Sequence, residues 1–292
     1  MNLIIEILIS SFIIGAIYAL GAAGLTIIFG VSGILNLAHG AIVVVASLVA
    51  WYCALQLHMG IYLGGLVGIA AAIGTTYVLY FTVVIPLSRS RQLASEELPV
   101  FLFVSTLLFA LILQGILEWF FGATPVSTPA MIEGVIHIDG VTVPLNSLLI
   151  GVVAWAVIGA LWLFISHTRM GKAMLAASMS PKGLAIVGYD IGRIHFLVWG
   201  LYGLLAGIAG VLLASFIGAS SNVAINLTAT SFTIVVLGGL GNVLGSLAAA
   251  YILGFLGTVT AFLISPSLRE VPGLLLLIVV LYARPQGLFG RH

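Results

Sequence analysis

Residues 197–217 read Leu197-Val-Trp-Gly-Leu-Tyr-Gly-Leu-Leu-Ala-Gly-Ile-Ala-Gly-Val-Leu-Leu-Ala-Ser-Phe-Ile217, twenty-one positions without a charged side chain. A helix needs about 20 apolar residues to cross the hydrocarbon layer of a bilayer. Leu148–Ile165 is a second run of this kind. Neither run shows the short alternation of apolar and polar residues that a membrane barrel requires. Inside lipid every backbone N–H and C=O must find a partner within the segment, and a helix meets that condition. The two runs therefore predict membrane-spanning helices.

Composition extends the reading to the whole chain. Its 292 residues are 62% hydrophobic and 6% charged. Soluble domains carry roughly 25% charged residues, and seventeen Asp, Glu, Lys and Arg side chains cannot cover a soluble surface of this size. The mean hydropathy of +1.31 agrees. The single Cys53 lies in an apolar run, excludes an intrachain disulfide and reads as a small packed hydrophobe. Met1–Ser11 carries Glu6 and no Lys or Arg, unlike a secretory signal, so the first apolar run reads as a retained span. A net charge of +1 gives no reason to expect nucleic acid as a partner.

Candidate spans fall near 4–29, 40–57, 61–85, 98–121, 146–165, 195–217, 229–244, 246–264 and 272–283, two of them short, so eight to ten spans are expected. The chain reads as one all-α, polytopic helical bundle, a single transmembrane domain over 1–292. With nine spans, Arg89, Arg91, Arg169, Lys172, Lys182, Arg193, Arg284 and Arg291 share one side, and Arg269 alone lies opposite. The positive-inside rule then predicts a cytoplasmic C-terminus and an outside N-terminus. The segment around Glu133 and Asp139 falls outside. The region 122–145, with Pro125, Pro129 and Pro144, reads as a periplasmic loop holding a hairpin. The segment 167–194 reads as cytoplasmic. Its Arg169–Ala177 stretch is rich in good helix formers, and Pro181 interrupts it. Such a helix is either an interfacial connector or a docking element for a cytoplasmic partner.

Polar residues at membrane depth are costly and often functional. The candidates are Asn36, His39, Gln114, Glu118, Thr230, Thr233 and Asn242. Each also has a plain packing explanation, such as a hydrogen bond to a neighbouring helix. His39 closes the glycine- and serine-containing segment Gly30-Val-Ser-Gly-Ile-Leu-Asn-Leu-Ala-His39-Gly40. That segment has a loose counterpart. Thr26-Ile-Ile-Phe-Gly30-Val-Ser-Gly33 resembles Thr233-Ile-Val-Val-Leu-Gly238-Gly-Leu-Gly241, and an Asn follows each. Broken helices in corresponding halves of a transporter point towards a translocation path.

The sequence contains no Walker-type Gly-x-x-x-x-Gly-Lys-Ser/Thr stretch, no His-Glu-x-x-His, no paired Cys and no nucleophile elbow. No catalytic residues and no metal ligands are therefore assigned. Movement of a solute, with energy from elsewhere, fits better than chemistry on it.

Four stretches, in this order, resemble the LivH-type permease subunits of ATP-binding-cassette importers for branched-chain amino acids. They are Gly15-Ala-Ile-Tyr-Ala-Leu20 leading into Gly30–Gly40; Thr168-Arg-Met-Gly-Lys-Ala173 followed by Ala185-Ile-Val-Gly188; Val236-Leu-Gly-Gly-Leu-Gly-Asn242; and Arg284-Pro-Gln-Gly-Leu-Phe-Gly-Arg291. The resemblance implies a type II-like importer permease of the bacterial inner membrane, without enzymatic activity or a cofactor of its own. Its implied partners are a second, LivM-like permease, two ATPase subunits that bind ATP and Mg, and a periplasmic solute-binding protein. Arg169, Gly171, Lys172, Ala173 and Gly188 become the expected ATPase-coupling residues. Asn36, His39 and Gly40, with Gly238, Gly239, Gly241 and Asn242, become the expected path or gate. The chain departs from the family pattern in three places. Ala41 follows Gly40 where an acid is usual, Ala176-Ala-Ser-Met-Ser180 lacks charge, and Thr230-Ser-Phe232 stands where a basic residue often precedes the Gly-Gly segment. These departures put the substrate in doubt. Branched-chain or other hydrophobic amino acids lead, and urea, amides and small organic acids stay open. A stand-alone channel or carrier for a small neutral solute is the competing expectation, favoured by the lost charge and opposed by the lack of ion-coupling groups in the spans. A membrane enzyme or scaffold ranks third.

Overall fold

A computed structural model describes residues 2–90, 94, 96–138 and 141–290. Arg91, Asp139 and Arg291, used above to orient the chain, lie outside the described residues. Within them the protein is helical, and nine helices are long and apolar enough to cross a membrane. In chain order the helices are α1 (Asn2–Ser32), α2 (His39–Trp51), α3 (Ile61–Leu79), α4 (Ile85–Ser88), α5 (Leu98–Phe121), α6 (Leu145–His167), α7 (Arg169–Met179), α8 (Pro181–Ile186), α9 (Ile191–Phe216), α10 (Ala224–Gly238), α11 (Val243–Leu263) and α12 (Val271–Ala283). A single π turn, Tyr52–Gln56, prolongs α2, and another, Tyr80–Val84, joins α3 to α4 into one span.

The bundle is organised around α1, α2 and α9. α1 packs on α11, α9, α6 and α10, and α9 packs on α1, α2 and α3. Small residues let these backbones meet, as is usual between membrane helices. At the crossing of α1 and α11, a Cβ on Gly254 would stand 2.8 Å from the Cα of Gly15. Trp199 and Tyr202 of α9 are fully buried, with Leu20 and Leu25 of α1 beside them in the core. The periphery is thin: only 17% of the α5 span and 11% of the α12 span is buried. Their outer faces are mostly apolar, with Glu118 of α5 an exception.

The connection between α5 and α6 carries a two-stranded antiparallel hairpin, β1 (Val135–Ile138) and β2 (Val141–Pro144), in which Ile136 pairs with Val143 and His137 with Thr142. This marks one end of the bundle. The opposite end holds α7, α8, the end of α4 and residues 284–290; Arg89, Arg169, Lys172, Lys182, Arg193 and Arg284 lie in these segments or at the start of α9.

The seventh span differs from its expected position. Its helix begins at Ala224, five residues before the expected start, and stops at Gly238. Gly239 (φ +99°) and Gly241 (φ +82°) adopt the left-handed backbone that ends a helix. Asn242 then opens α11, its Oδ1 accepting from Gly245 N–H at 3.1 Å. The glycine-rich stretch is thus a turn between two helices and not the interior of a span.

Candidate functional site

The Gly30–Gly40 segment breaks the helical path inside the bundle. α1 ends at Ser32, and Gly33 turns the chain with φ +68°. Residues 33–38 then run back, largely non-helical, before α2 starts at His39. The start of α2 lies at membrane depth. His39 packs beside Gly21, eleven residues before the end of α1, or about 16 Å along its axis. Its ring also faces Tyr202, which stands eleven residues into the 26-residue α9.

A non-helical backbone inside a membrane must have its polar groups satisfied by protein or water. Here hydroxyls from two other helices do so, with Asn36 of the segment itself. Leu37 N–H donates to Thr106 Oγ1 of α5 at 3.2 Å, and Thr106 donates in turn to Phe103 O at 3.0 Å. Gly40 N–H donates to Thr228 Oγ1 of α10 at 2.9 Å, and that hydroxyl reaches Ala224 O at 3.0 Å and Leu37 O at 3.2 Å. Asn36 closes the turn before α2, its Oδ1 accepting from Ala38 N–H at 2.9 Å. Its Nδ2 donates to Tyr202 Oη at 3.0 Å. The Tyr202 hydroxyl also lies 3.1 Å from His39 Nδ1, within hydrogen-bond distance. Gly40 is required by close approach, because a Cβ there would run into Ala224 O.

Asn36, His39 and Gly40 lie together at this break, and Asn36 and His39 are sealed in the core, at 2% and 1% exposure. They hold the break in shape and do not face an open space. Three partners were missed by sequence reading: Tyr202, Thr106 and Thr228. Tyr202 and Thr106 sit within largely apolar runs, and Thr228 is one of several polar residues in Asn226–Ser231, so nothing local singles any of them out.

The open space lies on the other side of the break. A cavity of about 270 Å³ is lined by Leu37 and Ala41, by Phe103, Leu107, Ala110, Leu111 and Gln114 of α5, and by Ala224, Ile225, Thr228, Ala229 and Phe232 of α10. The α5 and α10 residues recur every three or four positions, so each helix gives one face to it. Among the described residues, Gln114 and Thr228 are the only polar side chains on its wall. A smaller space of about 20 Å³, room for one water, lies among Tyr18, Thr230, Thr233, Arg269 and Glu270 towards the hairpin end.

Gly238, Gly239, Gly241 and Asn242 belong to a different place. Gly238 is ten residues beyond Thr228 on α10, about 15 Å along the axis. The chain's last residues tie this turn: Leu288 N–H donates to Leu237 O at 2.8 Å, and Asn242 Nδ2 donates to Phe289 O at 2.8 Å. The two loosely similar glycine segments meet here, since a Cβ on Gly30 would lie 3.4 Å from the Cα of Gly241. Thr26 Oγ1 also donates to Ser246 Oγ at 2.7 Å.

At the same end, α7 and α8 are short and well capped. Thr168 Oγ1 accepts from Gly171 N–H at 2.9 Å, and Ser180 Oγ accepts from Gly183 N–H at 3.1 Å. α7 is two-faced. Gly171, Ala173, Met174 and Ala177 are buried, and Gly171 closes onto Phe164 O of α6. Arg169, Lys172, Leu175 and Met179 face outward. Gly188 is exposed, with φ +90°, in the turn after α8. Ile186 and Val187, beside it, are 87% and 74% exposed. Of the expected coupling residues, Gly171 and Ala173 thus shape the helix from inside, and Arg169, Lys172 and Gly188 remain on the surface with an apolar group that sequence reading overlooked.

Residues 7–281 match the family described as "Branched-chain amino acid transport system / permease component". The chain is 27% identical to the high-affinity branched-chain amino acid transport system permease protein LivH of Escherichia coli (strain K12), over 95% of this chain and 92% of that one. It is 28% identical to the corresponding permease protein BraD of Pseudomonas aeruginosa, over 97% and 95%. The ribose import permease protein RbsC of Escherichia coli (strain K12) is 27% identical over 82% and 73%. Among solved structures, a chain of PsaBC from Streptococcus pneumoniae in complex with Fab shares the fold, with a TM-score of 0.52, 14% identity, and coverage of 96% and 92%.

Proposed function

The chain belongs to the permease-component family of branched-chain amino acid transport systems, and from that premise we propose that the 270 Å³ cavity beside the α1–α2 break is its part of a path for hydrophobic amino acids. The protein is a multi-pass permease of the bacterial inner membrane, a transport component rather than an enzyme. The observation that carries the substrate reading is the lining: ten of its twelve residues are apolar or Ala, and none is charged. A wall of this kind suits an aliphatic side chain. It offers little to a sugar, whose hydroxyls need a dense set of partners in a dry site, and this weighs against ribose despite the likeness to a ribose permease.

The driving parts lie outside this chain. α7 and α8 dock into a groove of an ATPase subunit, and the basic end faces the cytoplasm, in keeping with the positive-inside rule. ATP and Mg belong to two such subunits. A second, LivM-like permease covers the cavity edge of α5, and a periplasmic protein delivers the solute. Hydrolysis then rocks the two permeases as near-rigid bodies between two states. α10 is suited to relay that motion, since one end touches the glycine turn beside α7 and the other forms the cavity wall.

The test is uptake in proteoliposomes from the purified assembly. ATP-dependent leucine uptake that competes with isoleucine and not with ribose is the expected result. Gradient-driven uptake by this chain alone would overturn the importer reading in favour of a stand-alone carrier. ATP-driven uptake of ribose would overturn the substrate.

A further inference from the structure

Gln114 is the one polar side chain of the cavity wall that the protein does not itself use. Thr228, the other, has its hydroxyl engaged by Gly40, Leu37 and Ala224. Among the described residues, the Gln114 amide has no hydrogen-bond partner within the chain. An amide left unpaired in hydrocarbon is costly, so its place on α5 calls for a partner from outside the chain. Glu118 lies one turn further on the same helix, four residues away and on the same edge. Glu118 is exposed and Gln114 half-buried, in a span that is mostly apolar. Two polar groups stacked on one edge, running from the hairpin end of α5 to the cavity, mark a strip that meets water rather than lipid. The opposite edge of α5 carries Val104, Leu108, Ile112 and Ile116, all exposed and apolar, as a lipid-facing surface should be.

We propose that Gln114 is the polar anchor of the solute site, binding the head of a small amphipathic solute while Phe103, Leu107 and Leu111 hold its apolar body. This rests on the permease reading above. A primary amide donates and accepts at once, so it suits a head that does both, such as the amine and carboxylate of an amino acid. Glu118, at the approach, attracts the cationic side of that head. The cavity volume fits the body: a dry apolar cavity of about 150 Å³ takes a benzene ring, and the space here is larger, about 270 Å³ and open on one side. A second permease closes that side.

The experiment is thiol labelling in the intact transporter, with its partner subunits, in proteoliposomes. Cys53→Ala removes the only native thiol. Gln114→Cys, Leu111→Cys and Ile112→Cys are then made singly and treated with a charged methanethiosulfonate reagent, which reacts only where water reaches. Labelling at 114 and 111 about tenfold faster than at 112 is expected, because a lipid-facing thiol is shielded. Leucine is expected to slow labelling at 114 and 111, and ribose and urea are not. Equal rates at all three positions would overturn the proposal, and so would protection by ribose or urea as strong as that by leucine. Position 111 keeps the test decisive if Gln114→Cys fails to assemble. Labelling and leucine protection without ATP-driven uptake would sustain the site while the importer reading falls.

Discussion

The backbone N–H of Gly40 donates to Oγ1 of Thr228 at 2.9 Å, a bond that spans 188 positions of sequence and fastens the start of α2 to α10. It makes the break after α1 a tertiary structure rather than a local one. Thr228→Val keeps the volume and removes the hydroxyl, so the Gly40 N–H is left buried and unpaired. Such a group costs about 1–3 kcal/mol. Thermal unfolding in detergent is expected to show that loss for Thr228→Val and little for Thr228→Ser. Equal behaviour of the two variants would mean that water serves the N–H instead.

Tyr202 makes a second test of the same break. Its hydroxyl joins Asn36 and His39, both sealed from the cavity. Tyr202→Phe is expected to destabilise the protein by about 1–3 kcal/mol. The KM of uptake should stay near the wild-type value in the fraction that remains folded. In a double-mutant cycle, Asn36→Ala and Tyr202→Phe should couple by about 0.5–3 kcal/mol, as contacting residues do. A changed KM with unchanged stability would instead put the Asn36–His39–Tyr202 group in the path.

Much of this architecture could be read from the chain directly, and the part that could not has a common cause. The long uncharged runs of α6 and α9 announce themselves, because the thickness of a bilayer fixes their length. The break at Gly33–Ala38 is also visible, since glycine and serine interrupt an apolar helix there. The role of His39 is not visible, because Tyr202 is 163 residues away and looks like any aromatic in an apolar run. The setting of Gly238–Asn242 is hidden for the same reason. Nothing nearby in sequence says that Leu288 and Phe289 return to tie it off. Local patterns report helices and breaks. They do not report which distant polar group satisfies a break, and at membrane depth that partner decides whether a residue is structural or open to solute.

The docking surface separates charge from apolar contact. Arg169 and Lys172 share the outer face of α7 with Leu175 and Met179, and Ile186 and Val187 extend from α8. If apolar contact dominates, Met179→Asp with Ile186→Asp abolishes copurification of the ATPase, and Arg169→Glu with Lys172→Glu weakens it severalfold. All four positions are exposed, so the unfolding temperature of the permease alone is expected to hold within the small change usual for surface substitutions. Loss of the ATPase from the charge pair alone would reverse the ranking and make the interface electrostatic.

The tail tie predicts uncoupling rather than unfolding. Leu288 N–H and Phe289 O are bound to Leu237 and Asn242, so the tail clamps the turn between α10 and α11. That turn rests on Gly30 of α1, close to Ser178 of α7. A push on α7 therefore reaches α10 through a short, close-packed relay, and the tail keeps the relay stiff. Asn242→Ala removes both the cap of α11 and the bond to Phe289, at a cost of about 1 kcal/mol for the cap. Ending the chain after Gln286 removes the tie and the packing of Leu288, and leaves the cap of α11 in place. In the assembled transporter, both changes are expected to leave ATP hydrolysis running while the leucine moved per ATP falls severalfold, with the larger drop for the truncation if stiffness of the turn matters more than the cap. A parallel fall of hydrolysis and uptake would show that the tail serves assembly, and the relay would then have to run through the contact of α7 with α1 alone.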